Sequence, residues 1–495
     1  MKTLLINTNK KKEGQIFNKL RRSITLVLCI LLIGIYTGCK KLVNVAPPVT
    51  QLVTTSVFAN DASAIAAQLG VYAHTNMAGL PVSIDQMSAL SADELKSFTT
   101  SLPARDIYLN ALSASKDPSG AVVAQDFWGI PYNFIYQENA IIENVTNSSS
   151  ITPSLKPLMT GEARFMRAYF YFYLVNFYGD VPLVTTTNYA KNSIISRSPQ
   201  EDVYQQMFSD LTAAKNSLSS KFIDASDTTA TTARIRPTTW AASALLARVK
   251  LYHHDYADAE TESTRVINNT SLFNLPSDLN TVFLANSSES IWQLAPATSS
   301  SAPWAREASA FILTTKPGTG TSASAVLSAQ LMAAFETGDK RFSSWVGAIT
   351  VSGTTYNFPY KYKNKTTAGE YSTLLRLAEQ YLIRAEARAQ QNKLNEAVSD
   401  VNVIRSRAGL NPLASNLTKD QVLSAIAQER RVELFTEGHR WFDLKRTGTV
   451  DAVMGAPGNA TQAKGGSGWQ PYQALYPIPF ADLNNDQNLT QTPGY

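Results

Sequence analysis

Apolar residues recur every three or four positions along much of this 495-residue chain, a spacing typical of amphipathic α-helices. The pattern predicts helices over 126–145 and 161–178. The second is apolar around most of its circumference and carries a run of aromatic residues: Phe165, Tyr169, Phe170, Phe172, Tyr173 and Phe177. A helix without a polar face belongs in the interior. Gly179 and Pro182 follow at positions where a helix commonly ends.

Two segments, 247–259 and 385–397, resemble copies of one unit. In each, a helix with small residues leads into a short polar turn, and a second helix follows. Small residues allow the two helices to pack closely, as in tetratricopeptide-type helical pairs. The predicted fold is therefore mainly α, a tetratricopeptide-like scaffold of helical pairs with irregular loops. A few short strands are predicted, at Ser290–Leu294 and over 359–363, where aromatic and β-favouring residues cluster.

The first 38 residues have the features of a targeting segment. Basic residues precede an apolar run over 24–36, which is shorter than the ~20 residues of a membrane-spanning helix. Thr37 and Gly38 then lead into Cys39, the arrangement of a bacterial lipoprotein cleavage site. We predict a signal peptide over 1–38 and acylation of Cys39, which would anchor the protein to a membrane. The alternative is an ordinary secretory signal with an incidental cysteine.

The basic charge of the chain comes mostly from this leader. The whole sequence has 44 basic and 39 acidic residues, but residues 39–495 keep 37 and 38 of them, a net charge of −1. Proteins that bind nucleic acid through its phosphates need an excess of basic side chains. Nucleic acid is therefore not an expected partner.

The segment 428–446 mixes apolar and charged residues at helical spacing. Its apolar positions can share one face of a helix. Glu433, Glu437 and Arg440 are three and four residues apart, which predicts a ladder of ion pairs along that helix. Charges between packed helices must be paired, because an unpaired charge is costly to bury.

This segment resembles a block of the SusD/RagB family of outer-membrane nutrient-uptake lipoproteins, of the form R-x-x-E-L-x-x-E-G-x-R-x-x-D-L-x-R. The charged positions are occupied here by Arg430, Glu433, Glu437, Arg440, Asp443 and Arg446. We interpret these six residues as a structural ion-pair block. The resemblance implies a SusD-like N-terminal region over 39–285 and a RagB/SusD C-terminal region over 286–495. The two regions are expected to pack as one compact unit.

The resemblance also implies a non-catalytic protein that binds a nutrient, usually a glycan, at the outer membrane. Its implied partner is a SusC-like TonB-dependent transporter, to which the bound oligosaccharide is delivered. Acylated Cys39 would hold the protein at the cell surface, although Lys40 and Lys41 stand where exported members often carry acidic residues, which leaves the facing side open. The alternative function is a helical-repeat scaffold that binds a protein or peptide.

Catalytic chemistry has few candidates in the sequence. His253 and His254 point about 100° apart on a helix and cannot easily share a metal ion. His439 is expected to be solvated or to cap a helix. Glu437 and Asp443 could suggest a glycosidase pair, but six helical residues would place them on different faces. No catalytic residue, metal site or cofactor is expected.

Aromatic residues make up 10% of the chain. Flat rings stack on the apolar faces of sugars while polar neighbours bind the hydroxyl groups. Tyr108 has such neighbours in Asp106 and Asn110, and Trp304 precedes Arg306 in a serine-rich loop. We predict Tyr108 and Trp304 as ligand-contacting residues. Four tryptophans in regular elements are expected in the core: Trp128, Trp240, Trp292 and Trp441.

Overall fold

The computed structural model describes residues 57–100, 104–113, 118–226, 229–296, 303–318, 320, 323–457, 464 and 468–495. The predicted signal peptide and Cys39 lie outside the described residues. The part from Val57 to Tyr495 forms one compact unit. None of the described helices is both long enough and apolar enough to cross a membrane.

Helices dominate the fold, as the apolar spacing predicts. In chain order they are α1 (Asp61–Met77), α2 (Leu80–Ser91), α3 (Ala104–Tyr108), α4 (Pro118–Asn147), α5 (Leu155–Tyr178), α6 (Tyr189–Asn192), α7 (Gln200–Ser217), α8 (Thr239–Tyr252), α9 (Tyr256–Ile267), α10 (Arg306–Phe311), α11 (Ala329–Met332), α12 (Lys340–Trp345), α13 (Leu377–Gln390), α14 (Leu394–Arg407), α15 (Lys419–Glu433), α16 (Arg440–Arg446), α17 (Val450–Gly455) and α18 (Phe480–Asn485). Short 3₁₀ turns lie at Leu279–Thr281 and Pro471–Ala474.

The strands of the described chain are short and pair antiparallel in twos. They are β1 (Leu95–Ser97), β2 (Ser290–Leu294), β3 (Ala325–Leu327), β4 (Val346–Val351), β5 (Thr354–Pro359) and β6 (Ser372–Arg376). β1 pairs with β3, β2 with β6, and β4 with β5. The strand predicted at Ser290–Leu294 is confirmed as β2.

The two predicted copies are the helical pairs α8–α9 and α13–α14. In each pair a three-residue turn joins the helices, and its middle residue has a positive φ, 65° at His254 and 62° at Asn392. These two residues occupy equivalent positions in the copies. Asparagine and histidine tolerate this left-handed backbone better than most residues. Helix α9 packs against α13, so the pairs stack on each other, and α15 packs against α13 and α14.

Helix α5 lies in the interior, as its aromatic residues predict, and is buried on nearly every side. Near its C-terminal end the Phe177 ring lies 4.7 Å from Phe127, 4.8 Å from Phe442 and 4.7 Å from Tyr476, measured between ring centroids. These partners come from distant parts of the chain. One apolar core therefore joins early and late segments.

The strand predicted over 359–363 is wrong. β5 ends at Pro359, and the following residues bend away from the sheet. Lys361 is buried there, and its Nζ donates to the main-chain oxygens of Glu433 and Phe435, at 2.8 Å each. Because local β-propensity is weak, these buried hydrogen bonds decide the path of the backbone.

The segment 428–446 is also not one continuous helix. α15 ends at Glu433 and α16 begins at Arg440, and Thr436 and Gly438 between them have φ values of 52° and 73°. A Cβ atom on Gly438 would lie 2.8 Å from Cγ2 of Ile84 in α2. Glycine is required here both for the left-handed backbone and for this close approach.

Three of the four tryptophans expected in the core, Trp128, Trp292 and Trp441, are buried. Trp240 is different, because it is partly exposed and its indole N–H donates to the main-chain oxygen of Ser220 at 2.9 Å. It lies on the second residue of α8, where the helix meets the surface.

Candidate functional site

Glu433, at the end of α15, is the centre of a buried charge cluster. Its carboxylate accepts from Arg376 at 2.6 Å and from Arg341 at 3.0 Å, and it also pairs with Arg407. Burial alone would raise the pKa of Glu433, but these three guanidinium groups outweigh burial and hold the pKa well below its usual value. The carboxylate joins α12, β6 and α14 to α15, so its role is structural.

Glu437 extends this cluster from the turn between α15 and α16. It accepts from Nε of Arg376 at 2.6 Å and pairs with Lys361. Burial lowers the pKa of Lys361 to about 8, against the pull of Glu437. The partners of Lys361 thus stabilise it in a position where an unpaired ammonium group would be costly to bury.

The ladder predicted from Glu433 through Glu437 to Arg440 is wrong. Arg440 instead donates to Asp93 at 2.8 Å, next to Arg431, which binds the same carboxylate at 2.7 Å. The helix break before Arg440 turns its side chain towards the segment after α2 rather than along α15.

The remaining members of the block are paired between helices as well. Arg430 and Arg446 both donate to Asp443, at 2.8 Å each, and Arg446 also binds Glu386 of α13 at 2.5 Å. Burial alone would raise the pKa of Asp443, but the two guanidinium groups hold it far below its usual value. Asp443 and Glu437 are thus each neutralised by their own cations.

His439 is not solvated, contrary to one expectation from sequence, although it occupies the N-cap position of α16. Its side chain is buried, and it makes no capping hydrogen bond at the start of α16. Burial, and then the nearby cations Arg248 and Arg430, lower the pKa of His439 well below its usual value. A neutral imidazole enclosed among arginines avoids adding another charge to the cluster.

Several buried carboxyl groups have raised pKa values, among them Glu94 and Glu307, a feature that active sites and protein cores share. Burial raises the pKa of Glu94 to about 8 and that of Glu307 to about 7. Both side chains are only 1% exposed, and Glu307 accepts from the Ser372 hydroxyl at 3.0 Å. A substrate has no access to groups covered in this way. In the described chain no cluster of three or more His, Cys, Asp or Glu residues is arranged to hold a metal ion.

Tyr108 is the last residue of the short helix α3 and is partly exposed. The Lys464 ammonium lies 5.0 Å from the centre of its ring, a cation–π contact. Asn110 is buried and donates to the main-chain oxygen of Ser91, while Asp106 pairs with Arg105. Of the polar neighbours predicted for Tyr108, Asn110 therefore uses its amide group in a structural hydrogen bond.

Trp304 lies just before α10 and is also partly exposed. Its indole N–H donates to the hydroxyl of Ser309 at 2.7 Å, which fixes the plane of the ring. The structure does not place Trp304 and Tyr108 side by side. Arg306 lies against Gly79 at the start of α2, whereas Lys464, above Tyr108, donates to main-chain oxygens at the end of α2. These two contacts therefore lie at opposite ends of α2, whose twelve residues span about 17 Å.

A third aromatic surface was missed by the reasoning from sequence. Trp128, Tyr132 and Tyr189 line a cleft of 280 Å³ together with asparagine and aspartate side chains. Tyr189 is 83% exposed, the most exposed large apolar side chain in the described chain. The signal was present in the run Thr-Thr-Asn-Tyr-Ala-Lys-Asn, an aromatic ring among turn-forming polar residues.

The protein is a scaffold of tetratricopeptide-like helical pairs, in which buried charges hold helices together and partly exposed rings are the candidate contacts. The sequence model described as "Starch-binding associating with outer membrane" matches residues 53–251, and that of the SusD family matches residues 337–495. The chain belongs to the SusD/RagB family.

Individual relatives are similar to this chain in sequence, and solved structures share its fold. SusD-like protein P2 of Formosa agariphila is 28% identical over 77% of this chain and 82% of its own. The starch-binding protein SusD of Bacteroides thetaiotaomicron is 34% identical over 25% of this chain and 21% of its own. The solved structure of a SusD superfamily protein from Bacteroides vulgatus covers 88% of this chain and all of its own at 20% identity, with a TM-score of 0.74. A laminarin-binding SusD-like protein covers 88% of this chain and all of its own at 23% identity, with a TM-score of 0.69.

Proposed function

We propose that this protein is a non-catalytic receptor that binds a glycan at the outer membrane and delivers it to a SusC-like TonB-dependent transporter. The observation that carries the proposal is the match of both family models, one of them described as starch-binding and associated with the outer membrane. The relatives named for binding starch and laminarin support a glucan as the first ligand to test. The pairing of Glu433, Glu437 and Asp443 with arginines supports binding without hydrolysis, since none of these three carboxylates is left free to act on a sugar.

Trp304 and Tyr108 remain our proposed sugar contacts. Replacing Trp304 by alanine is expected to weaken binding of the cognate glycan about tenfold, as for the loss of an aromatic side chain that is important for binding. Isothermal titration against soluble starch and laminarin would measure this change. Tyr108→Ala is expected to act in the same direction, with a smaller effect because Lys464 already covers part of the ring.

The matched control is Trp304→Phe, which keeps a flat ring but loses the indole N–H bond to Ser309. It should retain most of the affinity if stacking is the main contribution. Equal affinity of the wild-type protein and Trp304→Ala for the same glycan would contradict a role for this ring. Release of reducing sugar by the purified protein would contradict the non-catalytic assignment.

The membrane anchor and the partner can be tested together in cells. With Cys39 acylated, the protein should fractionate with outer membranes, and Cys39→Ser should move it to the soluble fraction, because stable anchoring needs lipid chains. A pulldown of the wild-type protein from solubilised membranes should recover a TonB-dependent barrel. Recovery of no barrel under mild detergent conditions would count against delivery to a transporter.

The alternative function, a scaffold for a protein or peptide, is favoured by one observation. A cleft of 390 Å³ opens between the helical pairs and is lined by Arg430, Arg431, Arg440 and Arg446 beside apolar side chains of α15. Concave surfaces of stacked helical pairs commonly bind peptides. Parallel glycan and peptide arrays would separate the two functions, since we expect binding to glycans only.

A further inference from the structure

The cleft around Tyr189 is open and has the chemistry of a sugar site. Trp128 forms a buried wall, its ring 5.0 Å from Tyr132, and the Tyr189 ring stands almost free at the edge. A tyrosine exposed to 83% has both faces of its ring available to a partner. Apolar C–H faces of a pyranose stack on such rings.

Polar groups surround these rings at the rim of the cleft. Asn192 donates its amide N–H to the main-chain oxygen of Thr186 at 2.7 Å, which leaves its amide oxygen as an acceptor. Asn485 is exposed and its side chain makes no hydrogen bond within the part of the chain that the structure describes. Asp482 and Asp486 add carboxylate acceptors. Donors and acceptors beside an aromatic ring match the hydroxyl groups that surround a sugar.

The cleft is held in shape by contacts that link distant segments. The Tyr132 hydroxyl donates to the main-chain oxygen of Pro182 at 2.8 Å, and the amide of Asn488 donates to that of Ile194 at 2.8 Å. Asn188 caps α6 by accepting from the Lys191 N–H, which positions Tyr189 at its start. A rim fixed in this way needs little reordering when a ligand binds.

The size of the cleft limits its ligand. Its 280 Å³ lies at the lower end of the roughly 300–1,000 Å³ of small-molecule pockets, enough for one or two sugar rings but not for a folded partner or a helix. The lining carries carboxylates and no lysine or arginine among its described residues, which disfavours an acidic sugar.

We propose that the Trp128–Tyr132–Tyr189 cleft, which neither Trp304 nor Tyr108 lines, is a second binding site for a short neutral oligosaccharide. This inference rests on the proposed glycan-binding function. A second weak site would let one protein hold two points of a polysaccharide at once, and linked sites raise the overall affinity without new contacts.

The experiment is equilibrium dialysis of the whole mature protein with labelled maltotriose and laminaritriose, reading the number of molecules bound at saturation. The wild-type protein should bind two molecules of its preferred trisaccharide, and Tyr189→Ala only one. Tyr189→Phe keeps the ring and should bind two. Phe342→Ala removes another exposed aromatic ring, 43% exposed in α12, and should also bind two.

The two proposals fail in different ways. The second site is overturned if the wild-type protein binds one trisaccharide molecule, Tyr189→Ala also binds one, and Trp304→Ala binds none. The proposed function stands in that case. If the wild-type protein binds neither trisaccharide nor their parent polysaccharides, the proposed function is overturned, and the second site with it. Since Tyr189 is exposed, its replacement should not affect folding, and an unchanged thermal midpoint would verify this.

Discussion

Replacing Glu433 by glutamine is expected to destabilise the protein by about 3–5 kcal/mol, because it leaves buried guanidinium groups without their shared counter-charge. The glutamine keeps the size of the side chain but loses the charge that Arg341, Arg376 and Arg407 share. Urea unfolding followed by circular dichroism would measure the loss of unfolding free energy.

The matched control is Glu336→Gln. Glu336 also pairs with an arginine, Arg405 at 2.5 Å, but its side chain is 46% exposed. Exposed pairs contribute at most about 1 kcal/mol, so this variant should be close to the wild type. Equal losses in the two variants would show that the buried cluster is not the source of the stability.

The Glu433 cluster also predicts a dependence on pH. The pKa of Glu433 is lower in the folded protein than in the unfolded chain. Its contribution is therefore fully present above the unfolded pKa and is lost as the pH falls through the folded pKa. The difference in stability between the wild-type protein and Glu433→Gln should shrink on acidification below about pH 4, the range in which the unfolded carboxyl becomes protonated.

The second large effect is expected at the ion pair of Arg248 and Glu379, which joins α8 to α13. Both side chains are 1% exposed, and Nε of Arg248 lies 2.6 Å from the carboxylate. Arg248→Met should cost about 3–5 kcal/mol, because Glu379 is then buried without its partner, and Glu379→Leu should cost a similar amount.

The double variant Arg248→Met/Glu379→Leu is expected to be much more stable than the sum of the single losses predicts. Apolar side chains of similar volume often replace a buried pair at little cost. Some loss should remain, because Arg248 also donates to the main-chain oxygen of Leu374 at 2.9 Å. A double-mutant cycle from urea unfolding would give the coupling energy between the two residues. Strictly additive losses would show that the broken ion pair does not cause the loss of stability in the single variants.

Local sequence patterns were sufficient to predict much of the fold. The aromatic run of α5 predicted a buried helix, because a helix apolar on every side has no favourable place at the surface. The repeated small residues and polar turns predicted the pairs α8–α9 and α13–α14, and even the equivalent left-handed residues lie in the predicted turns. Periodicity reports these features because they depend on neighbours within four or five residues.

The candidate sites were less predictable. Spacing suggested that Glu433, Glu437 and Arg440 would pair along one helix, but Thr436 and Gly438 break it and send each charge to another element. Asp93, the partner of Arg440, is 347 residues away in the chain. The exposure of side chains could not be predicted from the sequence either. Tyr108 and Tyr189 both lie among polar residues, and only the neighbours packed against them decide which ring is covered.

The amino-acid sequence alone was sufficient to determine a mainly helical scaffold, its repeated pairs and its membership of the SusD/RagB family, since these follow from short-range periodicity and from residues at fixed offsets. The partners of the buried charges, the end of β5 at Pro359 and the open ring of Tyr189 were decided only by the tertiary structure. Each of these features depends on which distant segments of the chain meet in space. For the buried charges the reason is the free energy of burying an ion, which favours pairing with a nearby opposite charge whatever its distance along the chain.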